Sequence, residues 1–578
     1  MSQKLAIAIS GAVSLGSFES GVMYEIIEAI AQHNQHPETT EDQKIIIDVI
    51  TGASAGAMTA AILAQKLLFE ADKLRNPNQN DIYRAWVEDA DIHTLLQFGE
   101  GDDPDKAILS SGFVQQVGNK YLLSRYNNSS SPPVAQRHPA VANEIQLGIA
   151  LSNLNGFDFT KKLINIQGRL NSQDNSFTYT KHKDCYITRI QGNQQDDKRG
   201  LWELIKRIAI ASGSFPFAFQ VQEVERISSD SAYKGSVFYT EPEPGKEPNK
   251  KAFAYTDGGI FENEPLGMAI SLAKKLDTSR QDYDPRYYEK RFFLYVAPGP
   301  KSSGVNPKFR ATQATYVNTA RALAGAIFTQ SRFQDWIQVS DTNESVKDFD
   351  KQAWFLRGLL KDNPDKSSEF EGVAEKLLQS LYKEQEQQKD ADKERLKKQF
   401  KEEYQELASL GENGEAIASS WLKAVQALEK AANLGSKELL TVYAITAKDE
   451  ELASEKLSAF GGFFDKKFRD YDYYVGRDQA VDFLKQLREK NSQGKQEGQL
   501  FLRNFEPGRD LQKPTVDLGD VDLEHVDRKL RKQIKNLLLE RLGRIIDSVE
   551  RRPLVAGPLK FFAKKMADDK LDRLLKLR

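Results

Sequence analysis

Gly52-Ala53-Ser54-Ala55-Gly56 has the residue types and spacing that nucleophilic attack on a carbonyl requires. In a G-x-S-x-G turn between a strand and a helix, the serine is held in a strained backbone conformation with its hydroxyl presented outward. The positions two before and two after it come so close that glycine fits there, and small Ala53 and Ala55 add no crowding. The helix that begins beside Ser54 aims unpaired N–H groups and its positive dipole end at the point where negative charge develops.

A serine hydroxyl needs a base. Asp257, in YTDGGIFENEP (255–265), ends an apolar run against Gly258 and Gly259, which allow close backbone approach. A free aspartate is a weak base, so direct Ser-Asp chemistry demands a partly desolvated carboxylate and preorganised oxyanion donors. Those donors are expected to be backbone N–H groups of Gly11, Ala12 and Val13 in SGAVSLG (10–16), after the first apolar run. Val13 replaces the middle glycine of a G-x-G-x-x-G pattern, which argues against a dinucleotide site. Taken singly, these segments have plainer readings: a Gly-rich strand-to-helix turn, a D-G-G turn and a strand-end turn.

A histidine base is the alternative. The histidines are His33, His36, His93, His138, His182 and His525, and none sits in a stretch that looks like an apolar strand end or a catalytic loop. Each reads as a surface or loop residue. An ordinary α/β-hydrolase would also place several sheet strands before its nucleophile, whereas one βα unit precedes Ser54.

The elements that must position these residues are legible in the apolar pattern. KLAIAIS (4–10) reads as a strand and Phe18 to Ile30 as a helix; KIIIDVITGAS (44–54) and AGAMTAAILAQKLLF (55–69) repeat the arrangement. Two βα units in tandem predict a parallel sheet covered by helices. Alternation from about Asn153 to Val224 predicts antiparallel strands, interrupted by a helix at 201–214. The polar, proline-containing stretch 228–251 reads as an exposed loop or hairpin, and strand character returns at 252–259 and 290–300. After about Asn306 the patterns are long and helical. The charged run from Glu375 to Leu407 reads as a solvated helix or helical hairpin.

Length and composition set bounds. A chain of 578 residues exceeds one hydrophobic core. With 81 Lys+Arg against 83 Asp+Glu, no global charge points to nucleic acid. The single cysteine, Cys185, cannot form an internal disulfide or a Cys metal cluster, which favours a reducing, cytoplasmic location. No leader surrounds Leu5 to Ile9 and no stretch reaches membrane-span length, so contact with a membrane is expected to be peripheral. Residues 521–578 are basic, with 16 Lys+Arg against 9 Asp+Glu. Leu530, Ile534, Leu537, Leu538, Leu542, Ile545 and Ile546 form a helical stripe there, and Leu559, Phe562 and Met566 a second. Docking on the protein's own core is the plainer reading of both stripes; an anionic bilayer is the sharper one.

The order of Gly-rich loop after the first strand, G-x-S-x-G near residue 50 and D-G-G some 200 residues later resembles the patatin-like phospholipase family over about residues 4–300. ALSNLNG (150–156) and AIASGSFPFAF (209–219) are similar to further blocks of that family, and FGGFFDKKFRDYDYYVGRDQA (460–480) to a tail segment of a bacterial subgroup. The resemblance implies Ser54 as nucleophile, Asp257 as base, and the loop Gly11, Ala12 and Val13 as oxyanion hole, with Gly52 and Gly56 in the elbow and Gly258 and Gly259 in the base loop. It further implies acyl-lipid substrates and neither metal nor cofactor. Where the family reads G-G-G-x-[RK]-G, this chain has Gly11-Ala12-Val13-Ser14-Leu15-Gly16, so the extra glycines and the basic residue are replaced. The expected architecture is a three-layer α/β/α catalytic domain at 1–340, a helical region at 341–490 and a basic helical region at 491–578. Two alternatives stay open: a lipid-binding or scaffold protein on the same fold, and a Ser-His-Asp carboxylesterase.

Overall fold

The computed structural model describes residues 2–127, 133–162, 176–193, 195–279, 290–299, 334–382, 385–432, 439–457, 461–492, 499–508, 511–516 and 528–549, with scattered single positions elsewhere. The first strand, β1 (Gln3–Ile9), alternates larger and smaller apolar residues, and the two sets serve different faces of the sheet. Leu5, Ile7 and Ile9 join a large core with α1 (Gly16–Gln35) and α2 (Ala55–Phe69), whereas Ala6 and Ala8 meet α4 (Leu266–Thr278) on the other face. The smaller set fits a closely packed helix. A Cβ on Gly148 of β3 (Val141–Lys162) would lie 2.6 Å from the Met268 sulfur of α4.

β2 (Ile45–Gly52) runs parallel to β1 and to β3, and β1 is parallel to β7 (Arg291–Val296). Such strands are buried on both faces and therefore read as continuous apolar runs. Asp48 is the exception within β2. It is the extra residue where the register shifts against β1, and its carboxylate pairs with buried Arg291 at 2.5 Å. Arg291 also meets Asp277 at 2.7 Å, so the buried charges are partnered.

Among the described residues the sheet has eight strands, in the order β5 (Gln222–Ile227), β6 (Lys250–Thr256), β3, β2, β1, β7 and β8 (Thr441–Ile445), with β4 (Ser176–Gln191) pairing β3 from outside that path. β5 and β6 are antiparallel, as is β4 with β3, matching the alternation of that region. α3 (Arg199–Ser212) lies between β4 and β5.

Beyond β7 the chain is mostly helical before it returns to the sheet. Helices α5 (Gln334–Asp362), α6 (Ser367–Tyr382), α7 (Glu386–Gln399), α8 (Lys401–Ala408) and α9 (Gly414–Ala431) are followed by a return to the sheet. Trp421 of α9 is fully buried in a separate core with Phe349, Leu396, Tyr404 and Leu407. The charged run is therefore solvated on one side only. β8 then adds to β7 in parallel, and α10 (Lys466–Ser492) lies along α1. A five-residue, half-buried strand carries too little pattern to announce itself among helices.

α1 and α10 meet backbone to backbone. A Cβ on Gly21 would lie 2.0 Å from the Tyr473 carbonyl oxygen, and one on Gly476 would lie 2.1 Å from that of Phe18. The buried pair Arg477–Glu25, at 2.8 Å, sits beside this contact. In α11 (Arg528–Val549), Ile534 joins the main core, with Leu537 and Leu538 packed against it, and Ile546 is buried. Those residues of the stripe pack on the protein itself. Leu559, Phe562 and Met566 lie outside the described residues. No described helix is long and apolar enough to cross a membrane.

The α1–α10 contact leaves no room for a methyl group. Gly476→Ala should lose about 1–3 kcal/mol of stability in urea unfolding through overpacking. Gly358→Ala, whose added methyl group would meet open space in α5, should instead gain about 0.5–1 kcal/mol. Equal effects for the two would contradict the close packing.

Candidate active site

Three turns meet at the C-terminal edge of β1, β2 and β6. The chain leaves β2 at Gly52 and enters α2 at Ala55, with Ser54 at φ 52° and ψ −124° between them. A non-glycine residue there is strained and persists only when its surroundings hold it. They do so through glycine. A Cβ on Gly52 would lie 2.3 Å from the Gly56 carbonyl oxygen, and one on Gly56 would lie 2.3 Å from that of Ser10. The elbow thus rests directly on the loop that follows β1.

The Ser54 hydroxyl donates to Asp257 Oδ2 at 2.5 Å. Asp257 follows β6, and its other oxygen accepts the Gly259 N–H at 2.7 Å. Gly258 allows this turn to lie flat on β3, since a Cβ there would be 2.2 Å from the Ala150 carbonyl oxygen. Both members of the pair are buried, Ser54 at 7% exposure and Asp257 at 1%. Burial pushes the Asp257 carboxyl up to about 7, against the lowering effect of its bonds from Ser54 and Gly259. That is the desolvation direct Ser-Asp chemistry demands.

The loop after β1 lies beside the elbow, where a Cβ on Gly11 would be 3.0 Å from the Ser54 Cβ. The Gly11 N–H is engaged by the Asn263 carbonyl at 3.1 Å, so it is not free to hold an oxyanion. The Ser54 N–H is likewise engaged, by Ser212 Oγ at 3.0 Å. Among the described residues, the N–H groups of Ala12 and Val13 have no acceptor. Val13 stands at φ 51°, a conformation a glycine takes at no steric cost, and its side chain lines the same cavity as Ser54.

That cavity, of about 100 Å³, is apolar almost throughout: Met58, Trp86, Phe113, Phe215 and Phe219 line it, and Phe463 does so from the tail. Phe463 belongs to a short turn anchored by buried Arg469, which donates to the Gly462 carbonyl at 2.6 Å and to that of Val87 at 2.9 Å. A larger cavity, about 490 Å³, lies around Glu262, Lys274 and Asp335 and includes neither Ser54 nor Asp257.

No described histidine bonds to Ser54 or Asp257. His33 and His138 are buried rather than at the surface: His33 meets the Gln43 carbonyl at 3.1 Å, and burial pushes His138 down to about 4. His182 bonds the Asn153 carbonyl at 2.7 Å and stacks on Phe261. His525 lies outside the described residues.

Residue-by-residue reading gave no role to Ser212 or Phe463. Ser212 accepts the Ser54 N–H, donates to the Ala150 carbonyl at 2.7 Å, and its own carbonyl accepts the Gly258 N–H at 2.9 Å. It therefore joins the turn at Ser54, β3 and the turn at Asp257. The signal was the small-residue block AIASGSFPFAF, which named the segment but not the contact.

The fold is a mixed α/β sheet with helices on both faces and a strained serine elbow at its C-terminal edge. Residues 7–270 match the family model Patatin, described as patatin-like phospholipase, and the chain carries a patatin-like phospholipase domain over that span. The family is one of lipid acyl hydrolases in general. Among solved structures, the crystal structure of VipD from Legionella pneumophila aligns with 99% of this chain and 88% of that chain, at 13% identity and a TM-score of 0.20. That likeness is too slight to carry a structural argument. No curated protein matches the chain.

Because Ser212 acts through Ser54 and Gly258, Ser212→Ala should lower kcat on a short-chain ester by roughly 10- to 100-fold, the order expected for small misplacement. KM and the unfolding midpoint should change little. A loss confined to KM would place Ser212 in substrate binding instead.

Proposed function

We propose that this protein is a serine acyl hydrolase that cleaves carboxylic esters of phospholipids or other acyl lipids through a Ser54–Asp257 dyad. The observation that carries the reading is the 2.5 Å bond between the two side chains, made at a strained elbow with no described histidine in reach. Asp257 takes the hydroxyl proton as Ser54 Oγ bonds to the carbonyl carbon, and the resulting oxyanion lies near the Ala12 and Val13 N–H groups. Collapse of this intermediate breaks the ester bond. Asp257 returns the proton to the leaving alkoxide, leaving an acyl-Ser54 ester. Water, deprotonated by Asp257, then releases the fatty acid and restores the hydroxyl.

The apolar walls beside Ser54 suit an acyl chain, and the resemblance to patatin-like phospholipases points to glycerophospholipid, lysophospholipid or neutral acylglycerol substrates. No step above calls on a metal. The rival reading, a lipid-binding protein without turnover, is favoured by one observation: the Gly11 N–H is committed to Asn263.

Ser54→Ala and Asp257→Asn should each lower kcat on the order of 10³-fold or more, with the double variant hardly worse than either, because the two act as a unit. A fluorophosphonate probe should label Ser54. Near wild-type turnover in Asp257→Asn would exclude the dyad, and absence of both labelling and turnover would favour the binding protein. The base must be charged to act, and its pKa is pushed up to about 7. Activity should therefore be full above that pH and fall about tenfold per unit below it, a limb seen in kcat/KM on a soluble ester.

A further inference from the structure

The β3–β4 pair continues past the end of β2, alongside β6 at Ser152 and Asn153. β3 keeps register with β2 as far as Ile149, opposite Gly52, yet runs on to Lys162, with β4 paired to it from Ser176. Beyond the bulge at 153–156, residues 157–162 extend on the order of 20 Å at about 3.3 Å per residue, with Asp158 and Phe159 still tied to the body through the Val237 N–H and a bridge to Ser236. They leave the sheet at the edge that carries Ser54 and Asp257.

The pairing sorts the ribbon into two unlike faces. Phe157, Phe159 and Lys161 share one face with Lys181, Tyr179 and Phe177; Asp158 and Thr160 share the other with Thr180 and Thr178. At the root, Phe157 is buried against Tyr233 and Phe253, with centroids at 4.5 and 4.7 Å, which fixes the ribbon to the body. Further out, Phe159 and Tyr179 stack at 5.8 Å, and Tyr179 and Phe177 follow at 5.9 Å. Lys181 Nζ lies 6.0 Å from the Phe159 ring. Tyr179 is 43% and Phe177 38% exposed. The opposite face satisfies itself, with Thr180 Oγ1 donating to Asp158 Oδ1 at 2.6 Å.

Water gives an aromatic face of this kind nothing to pack on. The boundary of a lipid bilayer does, because ring bodies settle at the level of the headgroups and ammonium groups meet lipid phosphate and carboxylate. The one acid in 157–161 and 176–181, Asp158, lies on the other face. Exposed aromatics also continue toward the site. Phe261, 40% exposed, stacks on His182 at the ribbon's root, and Phe217, 75% exposed, stands between the cavity-lining Phe215 and Phe219.

We propose that the aromatic and lysine face of the β3–β4 hairpin docks on a bilayer containing anionic lipid and brings the cavity at Ser54 to that surface. The purpose of the contact rests on the acyl-hydrolase reading; the contact itself does not.

The test is sedimentation of the full chain, carrying Ser54→Ala so that lipid is not consumed, with vesicles of phosphatidylcholine alone or mixed with phosphatidylserine. The chain should bind the mixed vesicles more tightly. Phe177→Ser with Tyr179→Ser should weaken binding at least about tenfold, and Lys161→Gln or Lys181→Gln about fivefold each, in a salt-sensitive way. Thr178→Ala, on the opposite face, should leave binding unchanged. With Ser54 intact, the same hairpin variants should hydrolyse a soluble short-chain ester at the parent rate. Vesicle binding that is absent, indifferent to the aromatic and lysine variants, or equally weakened by Thr178→Ala would overturn the proposal. Face-dependent binding in a chain that hydrolyses no ester would uphold the docking surface and reject the hydrolase reading instead.

Discussion

The site depends on how closely backbone can approach backbone at one edge of the sheet. Gly56 presses on the Ser10 carbonyl and Gly52 on the Gly56 carbonyl, so α2 starts in contact with the ends of both β1 and β2. Any side chain at either position would push the elbow away from the loop after β1. The positive φ of Ser54 follows from this crowding, because the chain must reverse from strand to helix within two residues. The position of Ser54 is thus a consequence of sheet geometry and not of its own side-chain contacts.

A second constraint is dryness. A carboxylate at 1% exposure is costly to ionise, and two hydrogen bonds only partly offset that cost. The same burial makes Asp257 a stronger base than an exposed aspartate. Ser212 and Gly259 keep the geometry without adding charge, which would undo the shift. The apolar cavity wall adds to this dryness, and part of that wall comes from the far end of the chain. Phe463 reaches it because Arg469 pins its turn to the Val87 and Gly462 carbonyls and because α10 is locked to α1. Buried Asp472 adds to the lock by accepting the Ala453 and Ser454 N–H groups at 2.7 and 3.0 Å.

Buried ion pairs stand where elements from distant parts of the chain must register. Asp48, Arg291 and Asp277 join β2, β7 and α4; Glu25 and Arg477 join α1 and α10. Such pairs contribute little net stability against an apolar alternative, but each penalises a shift of one element past the other, since a shift leaves a charge buried alone.

The sequence by itself determined the local structure and singled out the candidate residues Ser54 and Asp257. Apolar runs of strand length, each followed by a helical period, defined β1, α1, β2 and α2 within a few residues, because both faces of those strands are buried and their pattern is strong. The glycines around Ser54 and after Asp257 marked the turns, since only close approach explains them there. Tertiary structure decided what depends on contact between distant segments. It committed the Gly11 N–H to Asn263, gave Ser212 its bridging role, returned β8 to the sheet and carried Phe463 to the cavity. These arrangements leave no period or spacing in the chain. A hydrogen-bond acceptor 252 positions away, or a ring from a helical tail, is selected by three-dimensional packing alone.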